Sequence, residues 1–143
     1  MRKLLCSFVL FASVLFAAHA GDPPSDLDRM QGTWVVVTLI EKGKAVPADE
    51  TAILEIVIDK NTFTAFEKGK MVVKYEIKLD ATKTPKHIDF TALVGDDKGK
   101  TEPGIYAIEK DQIRFCLDDD KKGRPTKFEG DTFSVITLKK KPK

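Results

Sequence analysis

Met71-Val72-Val73-Lys74-Tyr75-Glu76-Ile77-Lys78-Leu79-Asp80 decides the fold. Val73, Tyr75, Ile77 and Leu79 alternate with Lys74, Glu76 and Lys78. A period of two with apolar residues on one side means a strand with one buried face and one wet face. The same reading extends in both directions. Upstream it gives strands over Thr33–Glu41, Ile53–Asp59 and Thr62–Glu67. They are turned by Lys42-Gly43-Lys44, Lys60-Asn61 and Lys68-Gly69-Lys70. Pro47–Thr51 reads as an irregular or single-turn helical link. Downstream it gives Lys86–Val94, Gly104–Glu109, Gln112–Leu117 and Thr132–Lys139, with a charged loop at Gly95–Lys100 and a long polar loop at Asp118–Gly130.

Eight short strands joined mostly by tight turns predict an all-β antiparallel meander. Closing such a meander into a barrel removes its exposed edges. A two-sheet β-sandwich is the alternative. The inner face is expected to carry Trp34, Ile56, Phe63, Tyr75, Ile77, Phe90 and Phe115, either as a filled core or as the lining of a ligand cavity.

The chain opens differently. Arg2-Lys3 precedes an apolar run from Leu4 to Ala18, which leads to Ala18-His19-Ala20. This is the layout of a cleavable secretory signal over residues 1–20. The apolar run is shorter than the roughly 17–25 residues that span a bilayer, so a transmembrane anchor is the weaker reading. Residues 21–29 read as a polar lead-in, with a turn near Asp28–Gln31. The barrel domain follows over 30–140, and a basic tail over 141–143. The expected location is exported, periplasmic or secreted, with no membrane span after cleavage.

Removing the signal changes the chemistry that remains. The whole chain carries 24 Lys+Arg against 22 Asp+Glu, a formal net charge of +2. Without Arg2 and Lys3 the domain is neutral, which gives no general attraction to nucleic acid. Cys6 is lost as well, so Cys116 stands alone and no internal disulfide can form. His19 is also lost, leaving His87. One His and one Cys are little material for a transition-metal site, and no cofactor is expected.

Gly32-Thr33-Trp34 opens the first strand. G-x-W at the start of an eight-strand meander resembles the lipocalin and calycin barrels. The resemblance implies a Trp packed across the closed end of the barrel, beside a basic side chain from the last strand, here Lys139 or Lys140. A longer set of motifs runs through the chain in order: Met30-Gln31-Gly32-Thr33-Trp34, Pro85-Lys86-His87-Ile88-Asp89, Gly104-Ile105-Tyr106, Phe115-Cys116-Leu117 and Arg124-Pro125-Thr126-Lys127-Phe128. Together they resemble an uncharacterised exported domain family expanded in planctomycete bacteria, with Met30 where that pattern has Leu. The resemblance implies compartment and domain limits and no particular activity.

Three other features have a chemical and a plain reading. His87 and Cys116 could suggest a thiol nucleophile with its base. Alternation puts each on the face opposite the core without placing them together, and a nucleophile needs a base within hydrogen-bond reach. Cys116 stays a candidate reactive thiol, able to link two chains if exposed. Asp118-Asp119-Asp120 with Asp96-Asp97 could suggest calcium but lacks the required spacing, and Lys121, Lys122 and Arg124 follow at once; a solvated loop is expected. The Lys139–Lys143 run reads as a frayed, solvated terminus.

The resulting expectation is a non-enzymatic binding module for a small apolar ligand or a protein partner. A fully packed structural or interaction domain is one alternative. An enzyme with an unrecognised polar site in the barrel mouth is another.

Overall fold

The computed structural model describes residues 21–118 and 120–143. The expected signal segment, residues 1–20, lies outside the described residues. A short helix α1 (Asp26–Met30) leads into β1 (Gly32–Glu41), and a two-residue strand β2 (Lys44–Ala45) folds back on the end of β1. One helical turn, α2 (Ala48–Thr51), precedes β3 (Leu54–Asp59), β4 (Thr62–Glu67), β5 (Lys70–Asp80) and β6 (Lys86–Ala92). The chain then forms β7 (Thr101–Ile108), β8 (Gln112–Leu117) and β9 (Ser134–Lys140).

Each strand from β3 to β9 pairs antiparallel with the next, β1 pairs with β3, and β9 returns to β1. The result is a closed eight-stranded barrel of β1 and β3 to β9, with β2 as a short flap. Closure satisfies both edges of the meander, which is the physical reason to prefer it over an open sheet.

Two β-bulges set which side chains face inward. Val36 pairs with Leu138 and Thr38 with Thr137, so Val37 is an extra residue in β1. A one-residue insertion shifts the alternation. Trp34 and Val36 point in before the bulge, and Leu39 and Glu41 after it. In β5, Val73 pairs with Ala65 and Met71 with Phe66, leaving Val72 as the extra residue. Val37, Met71 and Val72 are accordingly exposed at 46%, 49% and 46%.

Besides the Lys139–Lys143 run, whose first two residues belong to β9 and whose Lys141 N–H donates to the Thr33 carbonyl instead of fraying, the structure differs from the sequence reading in three places. Asp26–Met30 is helical where a polar lead-in and turn were expected. Ser25 caps it through a capping box, its Oγ accepting from the Asp28 N–H while the Asp28 carboxylate accepts from the Ser25 N–H; a reciprocal pair of this kind satisfies two otherwise orphan donors. Strand β7 starts at Thr101 rather than Gly104. Pro103 lacks an N–H and so reads as a break, yet it pairs with Asp89. Arg124 Nη1 donates to the carbonyls of Ile88 (3.0 Å) and Gly104 (2.8 Å) beside it, and Nη2 to Asp89 (2.7 Å).

The third difference is the segment after β8, which is more than a solvated loop. Asp118 is buried and accepts from the N–H groups of Lys122 (2.8 Å) and Gly123 (2.6 Å), fixing a tight turn. Phe128 and Phe133 then pack onto Ile105, Cys116 and Val135 on the outside of the barrel. Arg114 lies 4.6 Å from the centre of the Phe128 ring. The barrel therefore has a small second core on the outer face of β7, β8 and β9, next to Ile40 of β1.

Candidate functional site

The barrel interior divides into two halves. At one end, α1 caps the opening. Met30 is fully buried beneath it, and Trp34, Ile58, Ile88, Ile113 and Leu138 fill the space with at most 1% exposure. Trp34 Nε1 donates to the Met30 carbonyl at 2.8 Å, so its one polar atom is satisfied. Lys140, the register partner of Trp34, lays its ammonium 4.5 Å from the indole centre and donates to the Gln31 carbonyl. The basic partner of Trp34 is therefore Lys140. Gly32 adopts φ +113, and a Cβ there would come within 2.8 Å of the Lys140 Nζ. The glycine of G-x-W thus serves a backbone turn and a close approach together.

A polar knot fastens α1 to this end. Asp26 accepts from Lys86 Nζ (2.6 Å), Tyr106 Oη (2.9 Å) and Arg29 Nη1 (3.1 Å). Burial works to raise the Asp26 pKa, but the hydrogen bonds from Lys86 and Tyr106 and the Lys86 charge outweigh it, and the net shift is downward. Burial and the Asp26 carboxylate push the Tyr106 phenol well above its ordinary value. Gln31 completes the closure, accepting from Lys60 N–H (2.6 Å) and donating to the Lys60 carbonyl (2.9 Å) in the β3–β4 turn.

The opposite end is open and holds a cavity of about 390 Å³. Phe63, Phe90 and Phe115 meet edge to face, with ring centres 5.3 to 6.1 Å apart, and Tyr75 joins them 5.6 Å from Phe90. These rings line the cup, where they are joined by Ile56, Ala65, Val36, Leu39, Leu54 and Ile136. The polar lining groups are Tyr75, Glu41, Glu102 and Ser134. A larger concavity of about 610 Å³ lies outside the wall, against Val35, Val57 and Phe66, and is flanked by the Lys141–Glu55 ion pair. It is open to solvent on the outer sheet face. The cup is ringed by strands, so a ligand within it is walled on its sides and exposed only at the mouth.

The structure places all seven expected interior residues on the inner face and divides them. Trp34 and Ile77 belong to the packed half, whereas Ile56, Phe63, Tyr75, Phe90 and Phe115 line the cup. The sequence reading missed Leu39 and Glu41, because the bulge at Val37 resets the alternation. It missed Glu102 because Pro103 hid the start of β7. Ser134 could have been found by counting back in twos from Leu138 and Ile136.

His87 and Cys116 share the outer face. His87 pairs with Ile105, and Ile105 with Cys116, so one strand separates them. Two inter-strand steps are roughly 10 Å, beyond proton-transfer contact. Cys116 is fully buried, its Sγ 3.5 Å from the Lys127 carbonyl, and takes part in the second core. No group of three or more His, Cys, Asp or Glu able to hold a metal occurs among the described residues. No helix among them is long and apolar enough to cross a membrane.

Comparison with protein-family models, curated proteins and solved structures finds no match.

Proposed function

We propose that the domain is an exported, non-enzymatic binding module that takes a small apolar molecule into the open end of its barrel. The observation that carries this reading is the cup of about 390 Å³ lined by the Phe63, Phe90 and Phe115 rings. Its volume falls within the roughly 300–1,000 Å³ usual for small-molecule sites. An open cup of this size holds water against aromatic and aliphatic walls, and an apolar ligand that displaces that water gains the burial of both surfaces. The export reading rests on residues 1–20, and the placement in an exported planctomycete-type family rests on the motifs from Met30 to Phe128.

Native mass spectrometry and calorimetry with an aliphatic alcohol such as decanol test this directly. The expected result is one molecule bound per chain. Ala65 lines the cup and is 6% exposed. Ala65→Leu should narrow the cup by three carbons, weaken binding and leave the fold intact. If the unaltered protein takes up no ligand, the packed structural domain replaces this reading. Undiminished binding by a folded Ala65→Leu protein would move the site out of the cup.

A further inference from the structure

The cup is wider than it is deep, and that shape selects its occupant. Every residue that lines it belongs to a strand, and none comes from the loops at the open end. Strands β3, β4, β8 and β9 each contribute two successive inward residues, and β6 and β7 one apiece. Only β1 and β5, the strands with bulges, contribute three. Successive inward positions lie roughly 7 Å apart along a strand. At the strand tilt of about 35–45° usual for barrels, most of the wall then rises about 5 Å above the floor. A cavity of about 390 Å³ behind so low a wall is about 10 Å across.

The floor is aromatic and its rings are set nearly at right angles. The Phe63 ring meets those of Phe90 and Phe115 at 83° and 79°, and Phe90 meets Phe115 at 90°. Rings arranged in this way offer both edges and faces. A further ring can join them edge to face or offset, a contact that adds to the area buried. A methylene chain gains the area alone. An extended ten-carbon chain, with nine bonds of about 1.5 Å, is roughly 11 Å long. Upright, it leaves its outer half in water. Laid flat, it covers one stripe of the floor, and folding it to cover more costs rotamer freedom.

We propose that the ligand of the cup is a compact, flat molecule of about two fused rings, seated on Phe63, Phe90 and Phe115, and not an extended acyl chain. This rests on the reading of the cup as the ligand site, and one set of titrations separates the two.

Octanol, decanol and 2-naphthol carry the same hydroxyl, and the last two have the same number of carbons. They are titrated calorimetrically into the unaltered protein, below their solubility limits. Two further methylenes enclosed by protein would raise affinity roughly tenfold or more. Decanol should instead gain less than about threefold over octanol, because its added carbons pass the wall. The naphthol should bind roughly threefold or more tighter than decanol, as ring contacts allow, and Ala65→Leu should weaken its binding severalfold. A larger gain from octanol to decanol, or 2-naphthol binding no tighter than decanol, overturns the compact-ring assignment and leaves the carrier reading standing. Undiminished 2-naphthol binding by a folded Ala65→Leu protein overturns it as well. Failure of all three compounds to bind overturns both.

Discussion

The two ends of the barrel are made from the same strands and the same residue types, yet they have been settled in opposite ways. At the α1 end, every large side chain has a packed neighbour and every buried polar atom a partner. Trp34 donates to Met30, Lys140 covers the indole, and Asp26 gathers Lys86, Tyr106 and Arg29. At the other end the rings of Phe63, Phe90 and Phe115 stop short, and about 390 Å³ is left above them. The difference is a plug. Only one end receives a helix whose Met30 and Leu27 fill it. The closed end therefore carries the stability of the fold, and the open end is where a ligand can be accommodated.

The sharpest way to break this contrast is Trp34→Ala. Loss of a buried aromatic that packs, donates and stacks should cost about 3–5 kcal/mol, read from denaturant unfolding. An unchanged midpoint would mean that the closed end is not the stabilising one.

Gly104→Ala should be the next most severe. An added Cβ would lie 2.6 Å from Leu117 Cδ2 and 2.7 Å from the Cys116 carbonyl oxygen, and the latter is backbone and cannot swing away. Overpacking of this kind costs roughly 1–3 kcal/mol. Ala65→Leu adds more atoms but adds them to the cup, so its effect on stability should stay within about 1 kcal/mol. Equal penalties for the two would show that the interior is uniformly packed.

Asp26→Asn sharpens the account of the plug. The folded carboxyl titrates below its unfolded value, so as pH falls the unfolded chain takes up the proton first. The stabilisation is complete above the unfolded pKa of about 4 and is lost as pH drops through the folded value. The variant should lose roughly 1 kcal/mol at neutral pH. Its melting temperature should also fall less than that of the parent between neutral and strongly acidic pH. Parallel pH profiles would remove Asp26 from the plug. The smallest effect belongs to the mouth. Val72→Thr alters an exposed bulge residue and should shift stability by about 0.5 kcal/mol or less.

Much of the barrel could be read from single strands. The alternation in Met71–Asp80 and in Lys86–Val94 is strong because these strands have one apolar and one wet face, and Tyr75, Ile77 and Phe90 fall inside as that alternation requires. Val35-Val36-Val37 is different. Three β-branched residues in a row fit either face, so nothing local locates the bulge that turns Leu39 and Glu41 inward. Cys116 was correctly placed away from Phe115, but its burial depends on Phe128 and Phe133, which come from a loop rich in charge. The helix α1 is too short for periodicity to register, although Ser25 followed by Asp28 was a capping signal within reach.

The sequence by itself determined the run of short strands and the inward alternation of the aromatic residues, while Trp34 at the closed end was implied by the resemblance of G-x-W to the lipocalin barrels. The strands and the alternation depend on local period and on turn residues, which neighbouring positions are enough to express. Only the tertiary structure decided that one end would be plugged and the other left as a cup, that Lys140 rather than Lys139 would cover Trp34, and that Glu41 and Glu102 would face the same interior. Those outcomes are fixed by register between strands distant in the chain and by two inserted residues. A single residue of slip exchanges the faces of a strand, and only pairing with a neighbour reveals it.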